Sequence, residues 1–109
     1  MIQEQQLGQL RPANTTAASI YSPGASETAV ISTLVICNQT TSAATYRIFI
    51  DNDGSTYDQS TALWYDTTID ANTTVQYQTH IGMDDASGNM AVRTSSANAL
   101  TFTIFGSVI

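Results

Sequence analysis

Residues 29–54 read A-V-I-S-T-L-V-I-C-N-Q-T-T-S-A-A-T-Y-R-I-F-I-D-N-D-G, the most apolar stretch of the chain. The reading is of two strands, 29–37 and 45–51, joined as a hairpin by the polar connection 38–44. The first is β-branched and apolar at both parities, with Ile31, Val35 and Cys37 on one face and Val30, Leu34 and Ile36 on the other. That pattern predicts a strand inside a sheet with both faces covered. The second alternates, with Tyr46, Ile48 and Ile50 opposed to Arg47, Phe49 and Asp51. Asn52-Asp53-Gly54 then supplies the small polar residues of a tight reversal.

Outward from this stretch the same signals repeat. Short runs with strand character occur at 16–21, 62–66, 73–81, 90–94 and 100–107. Between them lie turn formers such as Ser22-Pro23-Gly24, 67–72, Asp84-Asp85 and Ser87-Gly88-Asn89. In 73–81, Val75, Tyr77, Thr79 and Ile81 alternate with Thr74, Gln76, Gln78 and His80, as a half-buried strand requires. No window shows a 3.6-residue period. The layout predicts a single-domain, all-β antiparallel sandwich of seven or eight strands, jelly-roll-like or immunoglobulin-like. Residues 1–14, glutamine-rich with Leu7, Leu10 and Pro12 as anchors, are expected to form an extended N-terminal arm. The arm would pack along the domain at 15–109 or reach a neighbour.

Composition excludes several functions. The 109 residues carry nine acidic side chains, three arginines and no lysine, for a net charge of −6. Phosphate backbones and anionic lipid surfaces call for basic clusters, so neither nucleic acid nor membrane is an expected partner. The first ten residues lack a basic region followed by an apolar run, so a secretory signal is not expected. The one cysteine, Cys37, reads as a buried small hydrophobe.

Candidate chemistry is sparse. Asp51, Asn52, Asp53, Gly54 and Asp58 resemble half a calcium loop, but Phe49 stands where the first ligand belongs, so a turn is the expected role. His80 is alone and expected on the surface. Asp66, Asp70, Asp84 and Asp85 could in principle pair for glycoside hydrolysis, but all fall where turns place acids anyway. Tyr57, Trp64, Tyr65 and Tyr77 form an aromatic group that could stack on a sugar, with core packing the ordinary alternative. No catalytic, cofactor or metal residue is expected.

Five segments carry a resemblance: L-G-Q-L-R-P-A-N-T-T-A-A-S-I-Y-S-P at 7–23, the run 31–51, A-L-W-Y-D at 62–66, I-D-A-N-T-T-V-Q at 69–76 and A-L-T-F-T-I-F-G-S-V-I at 99–109. The most specific are the C-N-x-T-x-x-A-A-T-Y-R-I run at 37–48 and the terminal F-G-S-x-I. In these segments the chain resembles small virion structural proteins of tailed bacteriophages, cyanophages included. The resemblance implies a capsid cement or decoration subunit, made in the host cytoplasm and placed on the virion exterior. Its implied partners are the major capsid protein and further copies of itself, as a trimer first and a dimer second. Neck, tail or head-fibre proteins and a carbohydrate-binding module are the alternatives. Contact with the partner is expected at Leu7, Leu10 and Arg11 of the arm and at Thr40, Thr41 and Ser42 of the loop.

Overall fold

The computed structural model describes residues 4–51, 56–84 and 88–108. Among them run eight strands: β1 (Gln5–Leu10), β2 (Ala18–Tyr21), β3 (Thr28–Asn38), β4 (Ala44–Asp51), β5 (Ala62–Ile69), β6 (Thr73–Asp84), β7 (Asn89–Thr94) and β8 (Leu100–Val108). All pairings are antiparallel, and they build two four-stranded sheets, β1–β8–β3–β6 and β2–β7–β4–β5. First pairs with last, second with seventh, third with sixth and fourth with fifth. The chain is a long hairpin folded at β4–β5 and rolled into a sandwich, which is the jelly-roll order.

The expected 29–51 hairpin is not formed. β3 and β4 lie in opposite sheets, and residues 39–43 cross between them. Each strand already has two neighbours in its own sheet, β8 and β6 for β3, β7 and β5 for β4. Their apolar faces therefore meet across the sandwich and not edge to edge. The core joins Ile31, Leu34 and Ile36 of β3 to Tyr46 and Ile48 of β4, with Val92, Phe102 and Ile104 around them.

The faces of β3 also differ from the expected ones. Ala29 and Ile31 point inward, and so do Leu34, Ile36 and Asn38. Against β8 a register shift between Ile31 and Thr33 gives β3 an extra residue at Ser32 and reverses the parity, while against β6 the extra residue lies on β6, between Gln78 and Ile81. Val30, Val35 and Cys37 face outward and are only half-buried. β3 is central in its sheet, as predicted, but one of its faces forms the outer surface. Cys37 is correspondingly a half-buried free thiol and not a core residue. Two hydroxyls serve the carbonyls around the bulge: Thr79 donates to Ile31 O at 2.7 Å and Ser32 to Phe105 O at 3.3 Å.

Residues 5–10, within the expected arm, are strand β1, paired along β8 from Gln5↔Gly106 to Leu10↔Phe102. Leu7 and Leu10 pack against the core. β5 runs three residues past its expected end. Asp66, the last residue of the expected strand, takes a left-handed φ of 52°, a kink within a strand that continues into the expected turn at 67–72. The alternation of β6 is as predicted, and β8 turns Leu100, Phe102 and Ile104 inward.

One aromatic cluster ties the sheets together. Tyr46 is fully buried, stands edge-on to Phe102 at 6.3 Å, and shares a hydroxyl hydrogen bond with Tyr77 of the opposite sheet. Trp64 stacks on the other side of this seam, 4.9 Å from Tyr77.

At the bulge, β8 and β3 approach so closely that a Cβ on Gly106 would lie 1.9 Å from Val30 O. Backbone cannot yield as a side chain can. Gly106→Ala should cost about 3 kcal/mol, the upper end of overpacking, and lower Tm by roughly 10–20 °C in a thermal melt. A loss of only a degree or two would show that the bulge relaxes.

Burial, and then the Tyr77 hydrogen bond, push the Tyr46 phenol well above its usual value. A raised folded pKa means that this stabilisation is complete below the unfolded value of about 10 and is lost as pH climbs beyond it. Tyr46→Phe should therefore flatten the alkaline limb of stability between about pH 10 and 12. Chemical denaturation at several pH values would show it; an unchanged limb would place the titration elsewhere.

Candidate interaction surfaces

In a jelly roll the odd-numbered connections gather at one end. Here that end holds residues 11–17, 39–43, 70–72 and 95–99. Hydrogen bonds lock these loops to one another. Asn98 N–H donates to Pro12 O at 2.9 Å, and Gln39 Nε2 donates to Asn98 O at 2.8 Å. Asn72 N–H donates to Thr40 O at 2.9 Å, and Ser95 N–H to Thr45 O at 3.0 Å. Asn72 and Asn98 hold left-handed φ values of 53° and 57°, conformations that asparagine tolerates better than most residues.

Asn38 organises this end. Its side chain is 1% exposed at the tip of β3. Nδ2 donates to the carbonyls of Ser42 (2.9 Å), Asp70 (3.1 Å) and Ile69 (3.4 Å). Oδ1 accepts from Thr40 N–H (3.0 Å) and from the Thr40 hydroxyl (2.7 Å). One amide thus shapes the β3–β4 loop and fastens it to the β5–β6 turn. Sequence reading singled out the loop and missed the residue behind it. The available signal was an asparagine two residues before a threonine at a strand end, the pattern of an Asx-turn.

Of the six expected contact residues, the structure brings Arg11, Thr40, Thr41 and Ser42 to this one end. Arg11, Thr41 and Ser42 are exposed, whereas Thr40 is half-buried and engaged by Asn38. Leu7 and Leu10 both pack against the core although three residues apart, because the register shift between Gln6 and Gly8 reverses the parity of β1.

A second surface lies on the outer face of the β2–β7–β4–β5 sheet. Arg47 and Arg93 are directly paired on β4 and β7. Between them stands Asp66, bonded by Arg47 through Nε at 2.7 Å and Nη2 at 3.0 Å, and by Arg93 Nη1 at 3.4 Å. The register shift opposite Arg47 and the left-handed φ of Asp66 aim the carboxylate there. Hydrogen bonding from Arg47 holds Asp66 below the usual carboxylate range and raises the guanidinium in turn. The Arg47 guanidinium also lies 4.0 Å over the Tyr65 ring. Beside them is an open cleft of about 530 Å³, lined by Arg47, Tyr57, Asp58, Gln59, Ser60 and Tyr65. Hydrogen bonds from Ser60 hold the Asp58 carboxyl below its usual range.

The remaining sequence candidates separate. Asp51 is buried and accepts from Thr56 N–H at 2.7 Å, and Asp58 accepts from Ser60 N–H at 2.8 Å, both turn roles. Asn52, Asp53, Gly54 and Asp85 lie outside the described residues, and no cluster of three metal-ligating side chains occurs among those described. His80 is exposed on β6. Asp66 is held by the arginines, Asp70 stands at the loop end and Asp84 closes β6 at the opposite end. The four aromatics split: Trp64 and Tyr77 face the seam between the sheets, while Tyr57 and Tyr65 line the outer cleft.

No protein-family description and no curated protein matches the chain. Solved structures do match. A chain of the T13 IBDV viral particle aligns with a TM-score of 0.57 at 10% identity, over 98% of this chain and 30% of that one. The Tobacco streak virus coat protein aligns at 0.51 and 14%, over 97% and 85%. The Drosophila NLP-core, whose structure informs pentamer formation and histone binding, aligns at 0.50 and 9%, over 99% and 97%. The chain spans 30% and 39% of the first two viral chains that it matches. At these identities the likeness defines a fold: an eight-stranded jelly roll of the kind found in viral coat proteins and in NLP-core alike.

Asn38→Ala leaves buried carbonyls without donors and should cost about 2–3 kcal/mol. Asn38→Asp aims a carboxylate at three carbonyls, so it should melt lower still at neutral pH. The folded pKa of that new carboxyl is raised, and its neutral form can donate. The Asp variant should therefore regain stability, relative to the Ala variant, as pH falls from neutral toward the unfolded carboxyl value of about 4, with the recovery complete below it. Parallel melts of the three proteins at two pH values check this; equal behaviour of Ala and Asp would remove Asn38 from its organising role.

Proposed function

We propose that this chain is a non-enzymatic structural subunit of a virion, a cement or decoration protein that docks on the outside of a tailed-phage head and stabilises it. The observation that carries the reading is the loop end described above. It is a broad, polar surface whose loops are already fixed by Asn38, Gln39 and Asn98. A preorganised surface loses little conformational entropy on docking. Its exposed groups are small and uncharged apart from Arg11 and Asp70. The phage-like segments of the sequence, including the run that contains Asn38, support the same reading. So does the likeness of fold to a viral particle chain and a coat protein. The major capsid protein is the partner in this reading, with Arg11, Thr41 and Ser42 at the contact and Leu7 and Leu10 supporting β1 from the core side. Copies arrayed on a shell gain from avidity even when each contact is weak.

A second reading, carbohydrate binding, is favoured by the outer cleft, where Tyr65 offers an exposed ring beside the hydrogen-bonding side chains of Asp58, Gln59 and Ser60. One experiment separates the two. Purified protein is added to heads that lack it, and binding and the temperature of head disruption are measured. Saturable binding over the shell and a raised disruption temperature are expected. Thr41→Asp with Ser42→Asp should abolish both while the melt of the free protein is unchanged, and Tyr65→Ala should leave both intact. Binding confined to the portal vertex or tail would sink the cement reading. Loss through Tyr65→Ala, with Thr41→Asp/Ser42→Asp silent, would favour the cleft.

A further inference from the structure

The sandwich has four edge strands, and three of them are blunted. β1 breaks register between Gln6 and Gly8. β2 is four residues long, breaks register once, and is followed by Pro23. β5 breaks register twice against β4 and carries the kink at Asp66. Short length, bulges, proline and charge all keep an edge from recruiting another strand.

β6 has less of this, its one break in register lying toward its far end, between Gln78 and Ile81. It is the longest strand, at 12 residues, and from Thr73 to Gln78 its register along β3 is unbroken. Residues 73–81 include no Asp, Glu, Lys, Arg or Pro. Among the described residues β6 pairs with β3 alone, so its other side presents free backbone donors and acceptors. The inward side chains Val75, Tyr77 and Ile81 are only half-buried. Apolar surface and unpaired backbone thus coincide on one strip.

We propose that β6 is an assembly edge and that its occupant is β6 of a second copy, joined antiparallel about a two-fold axis into a continuous eight-stranded sheet. Charge selects this occupant. Two chains of net charge −6 repel each other, and self-pairing of β6 brings together a strip that bears no formal charge. An antiparallel pair of identical strands is also self-complementary, as a two-fold contact requires. The pleat restricts the register further. Opposed residues must point to the same face, so the axis passes through a residue and its own mate. With the axis at Gln76, Thr74 meets Gln78 on the outer face, and Val75 meets Tyr77 on the inner one. Both pairs match polar with polar and apolar with apolar. This inference rests on the strand order and not on the virion reading, so either can fail alone.

Sedimentation of the full chain at graded concentrations tests it. A reversible dimer is expected, tightened by added salt because repulsion outside the strip is screened. Gln76→Lys puts two ammonium groups opposite each other and should weaken the dimer at least roughly tenfold. Gln9→Lys, the same charge change on exposed β1, should leave it unaltered. In a Cys37→Ser background, Gln76→Cys should oxidise to a linked dimer. Thermal melts show whether each variant is folded. A chain that stays monomeric at every concentration, or a dimer indifferent to Gln76→Lys, would overturn the proposal; a dimer in which Gln76→Cys fails to link would overturn the register.

Discussion

A single irregularity in β3 decides what the core contains. Ala29 and Ile31 face inward before Ser32, and Leu34, Ile36 and Asn38 do so after it, only because the strand gains a residue against β8. Side chains in a regular strand alternate without exception. Without the bulge, one half of β3 would turn its apolar residues to water and Asn38 would leave its pocket. Gly106 belongs to the same device, since the backbone of β3 fills the space where its Cβ would be. The hydroxyls of Ser32 and Thr79 complete it by donating to nearby carbonyls. The inner packing and the loop end are therefore coupled through one strand.

That coupling explains why the loop end is rigid while much of its surface is small and polar. Asn38 is placed by the core and holds the loops from below. The loops then bind one another through backbone groups, leaving the outward side chains free to define a surface. The opposite sheet has a different character. Two of the three arginines are gathered on its outer face around Asp66, whereas the outer face of the β1–β8–β3–β6 sheet carries Val30, Val35, Cys37 and Phe105 among threonines and glutamines. One surface is organised by charge and the other is nearly free of it.

Much of this was legible in the residues. Alternation fixed the existence and faces of β6, the apolar run at 100–107 marked β8, and turn chemistry located most breaks. What failed has a common cause: sequence parity assumes an unbroken strand. It assigned Ile31 to the wrong face because Ser32 does not look like a bulge, and it ended β5 early because 67–72 read as a turn. Adjacency misled as well. The two most apolar strands were read as a hairpin, though each had better partners far away in sequence. β1 was hidden by its glutamines, because an edge strand on a half-wet face needs few apolar residues. At the candidate site, the polar loop could be found from composition; Arg11, expected on a separate arm, lies at the same end of the sandwich because β1 precedes an odd-numbered connection. The role of Asn38 depends on carbonyls of Ser42, Ile69 and Asp70, and no local pattern reports a partner thirty residues away.

The strand order also bears on how the molecule comes to exist. Only β4 and β5 are neighbours both in the chain and in a sheet. Every other pairing closes a longer loop than the one inside it, so structure can grow from that hairpin outward, each pair shortening the search for the next. β8 comes last and fills the middle of its sheet, between β1 and β3. During synthesis β1 consequently waits for the final strand, and β3 stands with one side open until then. For a sandwich of this order, the last of the eight strands to be made is the one that turns two partial sheets into a closed core.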